Sequence, residues 1–170
     1  MVVPARVLIT RGAADLLATL QGRHGPLMFH QSGGCCDGSS PMCYPDGDFV
    51  VGDRDVLLGL LDVICPAQPD GVPVWISGPQ FDVWKHTQLV IDLVPGRGSG
   101  FSLEAPEGVR FLSRGRAFTD DENRRLGAAA PVTGIRYEQG ERPAGPRGAV
   151  VAEAADACTL PAGHAARVHG

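Results

Sequence analysis

Three cysteines fall within nine residues in the stretch SGGCCDGSSPMC: Cys35, Cys36 and Cys43. Two of them are adjacent, and Gly33, Gly34 and Gly38 flank the pair. Thiolates are soft ligands that suit zinc, copper(I) or iron–sulfur centres. Glycines let a backbone fold tightly enough to bring several sulfurs together. The same stretch supports thiol chemistry. Glycine-rich turns aim backbone N–H groups at an anion such as a thiolate. Adjacent cysteines can close a strained, labile disulfide. A thiol can also add to an aldehyde. Two further possibilities stay open: a loop that a partner protein reads, and cysteines that are merely buried as small hydrophobes.

The candidate ligand set is Cys35, Cys36, Cys43 and His30, which stands five residues before Cys35. His86 and Asp37 are candidates for an outer shell around it. The spacing C-C-x6-C is not the paired C-x2-C of a zinc module, so an iron–sulfur species and zinc both remain open. No Ser/His/Asp or Cys/His/Asn arrangement emerges, and nothing in the sequence compels an enzyme. PGRGSG (Pro95–Gly100) is glycine-rich but lacks the Walker lysine and the strand–loop–helix setting of a nucleotide site. It is expected to be a turn between strands.

The elements that position these residues follow from periodicity and caps. Thr10 caps a helix in which Ala13, Leu16, Leu17 and Leu20 share a face, with Gly22 and Gly25 at its end. Leu27–His30 alternates like a strand and leads into the cysteines. Gly52-Asp53 marks a turn, and Val56–Ile64 suits a strand or a buried helix. Val72–Ile76 is β-prone. Ser77 and Gln80 have capping-box spacing ahead of a short helix at Phe81–Lys85, whose Phe81 and Trp84 would join Trp75 as core aromatics. Leu89, Ile91 and Leu93 define a strand face. GFSLEAPEGVRFLSR is expected to form a hairpin about Pro106-Glu107-Gly108. Thr119 and Glu122 begin a closing helix.

The 170 residues suit one domain. From Gly127 onward Ala, Gly, Pro and Arg dominate, which predicts a domain over 1–126 and a disordered tail over 127–170. Helices do not alternate with each strand, so an α+β fold of short strands in two small sheets, with a leading N-terminal helix, is expected. A net charge of −4 and the lack of a basic stripe speak against nucleic-acid binding. No apolar run is long enough for a membrane span, and Met1–Arg11 carries no leader pattern, so a cytoplasmic protein is expected. In a reducing compartment, clustered cysteines favour metal or redox roles over structural disulfides.

The strings FHQSGGCCDGSSPMCYPDGDF, QFDVWKHTQLVIDLVPGRGSGFSLEAPEG and RFLSR resemble the bacterial family known as domain of unknown function 779, over residues 5–126. That resemblance implies an association with NAD-dependent aldehyde dehydrogenase, whose genes often neighbour those of the family. A fainter resemblance is to the HesB-like A-type iron–sulfur carriers. It rests on the opening helix, on Gly33-Gly34-Cys35, on Ile91-Asp92, and on Gly100-Phe101 with Ala105-Pro106. It implies a HesB-like topology with mixed sheets. The carriers' closing Cys-Gly-Cys is absent, because the matching region reads RFLSRGRAF. In that comparison Cys36 and Cys43 would replace the missing ligands. The expected function is an accessory protein that binds metal or an iron–sulfur species, with aldehyde dehydrogenase as partner. A thiol-based redox or aldehyde-reactive protein and a protein-binding module are the alternatives. A homodimer is a further open possibility.

Overall fold

A computed structural model describes residues 3–31, 41–96, 102–143 and 145–152. The fold is α+β with two small mixed sheets, as expected. One sheet has the order β7-β6-β1-β9, formed by Val109–Ala117, Thr87–Pro95, Val7–Thr10 and Val150–Val151. The other has the order β3-β2-β5-β4-β8, formed by Pro41–Pro45, Leu27–Gln31, Val72–Ile76, Val56–Leu61 and Val132–Thr133.

Helix α1 (Arg11–His24) starts where the sequence places it. The Thr10 hydroxyl accepts from the Ala13 N–H at 3.4 Å and donates to Asp92 Oδ1 at 3.0 Å. One side chain therefore caps the helix and ties it to β6. Gly25, at φ 79°, ends the helix, whereas Gly22 lies inside it. The buried face of α1 (Ala13, Leu17, Leu20) meets Val7 and Ile9 of β1, Leu27 and Phe29 of β2, Val72 and Val74 of β5, and Leu89 and Ile91 of β6. Both sheets and the helix thus share one core. Phe29 and Phe111 meet edge to face within it, with centroids 4.9 Å apart, an arrangement that aromatic quadrupoles favour.

The outer face of the second sheet is also covered. Met28, Leu57, Trp75 and Val132 pack with Phe49 and Tyr137. Helix α2 (Gly78–Trp84) lays Phe81 and Trp84 against Val56 and Ile76, as its cap and aromatic spacing predict. Val56–Leu61 is a strand, which resolves the earlier ambiguity.

Three expectations need correction. The first is the hairpin. Val109–Ala117 pairs antiparallel with β6, from Thr87↔Ala117 to Pro95↔Val109, rather than with the chain just before the Pro106 turn. Residues Ala105–Glu107 form a 3-10 turn instead. The second is the leading helix, which is preceded by strand β1 immediately ahead of its cap. The third is the tail. Residues 128–143 and 145–152 are built into both sheets: β8 pairs with β4, α4 (Gly134–Glu138) covers Trp75 through Tyr137, and β9 pairs parallel with β1. Helix α3 (Asp120–Gly127) carries the full capping box foreseen at Thr119 and Glu122. Residues 153–170 lie outside the described residues.

Among the described residues no helix is long and apolar enough to cross a membrane.

Candidate functional site

The cysteine stretch joins β2 to β3. These strands pair antiparallel from Leu27↔Pro45 to Gln31↔Pro41. Pro41 opens its strand, a position where a missing N–H is tolerated. Residues 32–40, with Cys35, Cys36 and Asp37, lie outside the described residues, and their two flanks are held side by side by this closing pair.

Parity along the hairpin separates the candidate ligands. Cys43 stands opposite Phe29, and both are wholly buried in the shared core. His30 stands opposite Met42, one residue along, so its side chain leaves the opposite face of the sheet. The structure therefore does not bring His30 and Cys43 together. Burial pushes the Cys43 thiol well above its ordinary range, and the charge of Glu104 adds to the rise. A thiol in that state is a poor nucleophile, since that role needs the thiolate.

Cys43 is instead surrounded by a structural polar cluster. Its N–H donates to Ser102 Oγ at 2.9 Å, and its carbonyl accepts from the Leu103 N–H at 3.0 Å. The Ser102 hydroxyl donates to Glu104, whose other carboxylate oxygen accepts the Phe111 N–H at 3.1 Å. Ser102 and Glu104 are both buried. The cluster pins residues 102–104 between the edge of β3 and β7. The sequence alone singles out neither Ser102 nor Glu104. A buried acid beside a turn gives no signal distinguishable from an exposed one.

His30 sits in a different setting. Its Nε2 lies 3.2 Å from Asp55 Oδ2, and its ring packs on Phe49 with centroids 4.6 Å apart. Asp55 is held in turn by the Gly52 N–H at 2.9 Å, within the Gly52-Asp53 turn that the sequence marks. A histidine that uses one ring nitrogen on a carboxylate keeps the other for a ligand or a proton. Asp55 was missed because it lies twenty-five positions from His30 in the chain. His86 is placed elsewhere, between α2 and β6, with Nδ1 at 3.2 Å from Asn123 Oδ1. Among the described residues no group of three or more His, Cys, Asp or Glu side chains is arranged to hold a metal ion.

At the mouth of the hairpin, Gln31 is buried and accepts from Ser113 Oγ at 2.5 Å. That bond ties the last residue before the cysteine stretch to β7. On the neighbouring strand, Gln31 is in register with Ile76, immediately before the Ser77 cap of α2.

A model of the family described as domain of unknown function (DUF779) matches residues 16–117. The chain belongs to this family. The match runs from within α1 to the last residue of β7, so it takes in the β2–β3 hairpin, the cysteine stretch, Asp55 and Glu104. In this DUF779 protein, β1 and β9 complete the first sheet from outside the matched span. No curated protein and no solved structure matches the chain.

Proposed function

We propose that this DUF779 protein is an accessory thiol protein whose working groups are Cys35 and Cys36. The observation that carries this reading is the placement of Cys43. Its burial on the core face opposite Phe29, with a raised thiol pKa, takes the third sulfur out of the set and leaves an adjacent pair. Two adjacent thiols can exchange with an external small-molecule disulfide: one thiolate attacks it to form a mixed disulfide, the second displaces that sulfur to close the pair, and the external disulfide leaves as two thiols. One thiol can also add to an aldehyde carbonyl as a reversible hemithioacetal. An aldehyde is the electrophile of choice, because the family resemblance points to aldehyde dehydrogenase as the system served.

A second reading is favoured by the His30–Asp55 pair. A soft metal or an iron–sulfur species would take both thiolates, with the other ring nitrogen of His30 as a further ligand oriented by Asp55. Elemental analysis and a free-thiol count on protein purified without oxygen separate the two. The thiol-pair reading expects no stoichiometric metal and a free-thiol count that falls by two on mild oxidation in the native chain but not in Cys35→Ser/Cys36→Ser. Stoichiometric metal, lost in both Cys35→Ser and His30→Ala, would replace it with the metal reading.

A further inference from the structure

A cleft of about 400 Å3 lies between the C-terminal end of α2, the chain just before β1, and the segment that follows α3. Its charged wall is basic. Arg6 donates from Nη1 to the Lys85 carbonyl at 3.2 Å and holds its guanidinium 5.0 Å from the Phe81 ring centroid. Arg6 is half-buried, and burial lowers its pKa. Neither Arg6 nor Lys85 has an ion-pair partner among the described residues; Arg11, Arg54, Arg110 and Arg142 also have none there, and Lys85 is exposed, so it is the half-buried Arg6 that sets the site apart. A partly desolvated guanidinium without a counter-charge is costly, and one carbonyl and one ring face compensate it incompletely.

His86 lines the same cleft. The Asn123 amide donates from Nδ2 to the Phe118 carbonyl at 3.5 Å, which turns its Oδ1 toward His86 Nδ1. That pairing uses Nδ1 and leaves His86 Nε2 without a partner among the described residues. The remaining walls are apolar, formed by Phe81, Leu126 and Pro131. Asp82 is the acidic residue of the lining. The whole chain carries a net charge of −4, so the basic wall is a local feature.

We propose that this cleft binds a small organic monocarboxylate, its carboxylate on Arg6 and Lys85 and its hydrocarbon part against Phe81, Leu126 and Pro131. The guanidinium fork matches a carboxylate, and one of its N–H groups is already spent on Lys85. Asp82 and the apolar walls disfavour a dianion such as phosphate. The site is separate from the cysteine stretch and stands whether or not the thiol reading holds.

Titration of the full chain with benzoate, followed by amide NMR, tests the assignment. The expected result is saturable binding, with shifts concentrated at Arg6, His86 and Asn123. Lys85→Ala keeps the backbone carbonyl that Arg6 uses and is expected to weaken binding at least about tenfold, as loss of a charge-assisted contact should. Arg6→Gln is expected to weaken it at least as much. The double variant Cys35→Ser/Cys36→Ser should bind benzoate unchanged. No saturation by benzoate or hexanoate, tighter binding of inorganic phosphate, or indifference to Lys85→Ala would each overturn the proposal.

Discussion

Gly148→Ala is expected to destabilise the protein by about 2–3 kcal/mol, the usual cost of forcing atoms into a packed site. The residue lies in a segment whose composition suggests an expendable tail, yet it links the two sheets. Its N–H donates to the Leu60 carbonyl at 2.8 Å, and its carbonyl accepts the Asp62 N–H at 2.9 Å, so it pairs with the end of β4. The next residue, Ala149, accepts the Ile9 N–H at 3.1 Å, and β9 then continues beside β1. A Cβ on Gly148 would collide with the Val7 carbonyl oxygen and stand 2.9 Å from Leu61 Cδ2. A backbone oxygen cannot swing aside, so the segment must lift from one sheet or the other. Gly145→Ala is the control. Its nearest neighbour would be the Val3 carbonyl oxygen at 3.6 Å, an ordinary contact, and its effect should stay within about 0.5 kcal/mol. Urea unfolding of both variants checks this, the midpoint moving for Gly148→Ala with little change in slope. Equal, small effects would mean that residues 145–152 contribute nothing to the fold.

The second large effect is expected at Gln68. Its side-chain amide imitates a neighbouring strand: Nε2 donates to the Leu27 carbonyl at 2.7 Å, and Oε1 accepts the Leu27 N–H at 3.0 Å. The same oxygen accepts from Gln21 Nε2 at 3.0 Å, and Gln21 also donates to the Val63 carbonyl at 3.0 Å. Gln21 and Gln68 are both buried. Gln68→Leu keeps the bulk but leaves the N–H and carbonyl of Leu27 without these partners, and removes one acceptor from Gln21. An unmet buried group costs about 1–3 kcal/mol, so a loss of about 3 kcal/mol is expected. The same unfolding measurement decides it, and a loss below about 1 kcal/mol would show that the chain re-satisfies these groups by relaxing. The position matters because Leu27 begins the strand that leads to the cysteines.

Local signals were legible and long-range ones were not. Thr10, Ser77 and Thr119 each mark a helix start, because a cap is chemistry within four residues. Leu89 and Ile91 reveal their strand face by alternation alone. β8 and β9 have two residues each, too few for any period to register, and they form because a partner strand is waiting. The Ala- and Gly-rich composition after Gly127 lowers the apolar count, but Gly148 serves by having no side chain. The false hairpin has the same origin. Two β-prone runs around a turn look self-paired, while β7 has a longer partner in β6.

The candidate site divides in the same way. Clustering of Cys35, Cys36 and Cys43 is visible in the sequence, as is the strand that ends near His30. Which face each side chain takes depends on where β3 begins. Shifting that start by one residue would exchange Met42 for Cys43 in the core. The partners of His30 and Cys43, Asp55 and the Ser102–Glu104 pair, come from distant parts of the chain that only the fold assembles.

The account's central claim is that Cys35 and Cys36 are the working thiols and Cys43 is a core residue. The most direct test is the rate of alkylation of each cysteine in the folded, reduced, full-length protein at neutral pH, read by mass spectrometry of peptides. Cys35 and Cys36 are predicted to react first and without any chelator. Cys65, which is partly exposed, should follow. Cys43 should react only at the rate of global unfolding, accelerating in urea. Modification of Cys43 in the folded protein as fast as its two neighbours, or protection of Cys35 and Cys36 until a chelator is added, would contradict the account.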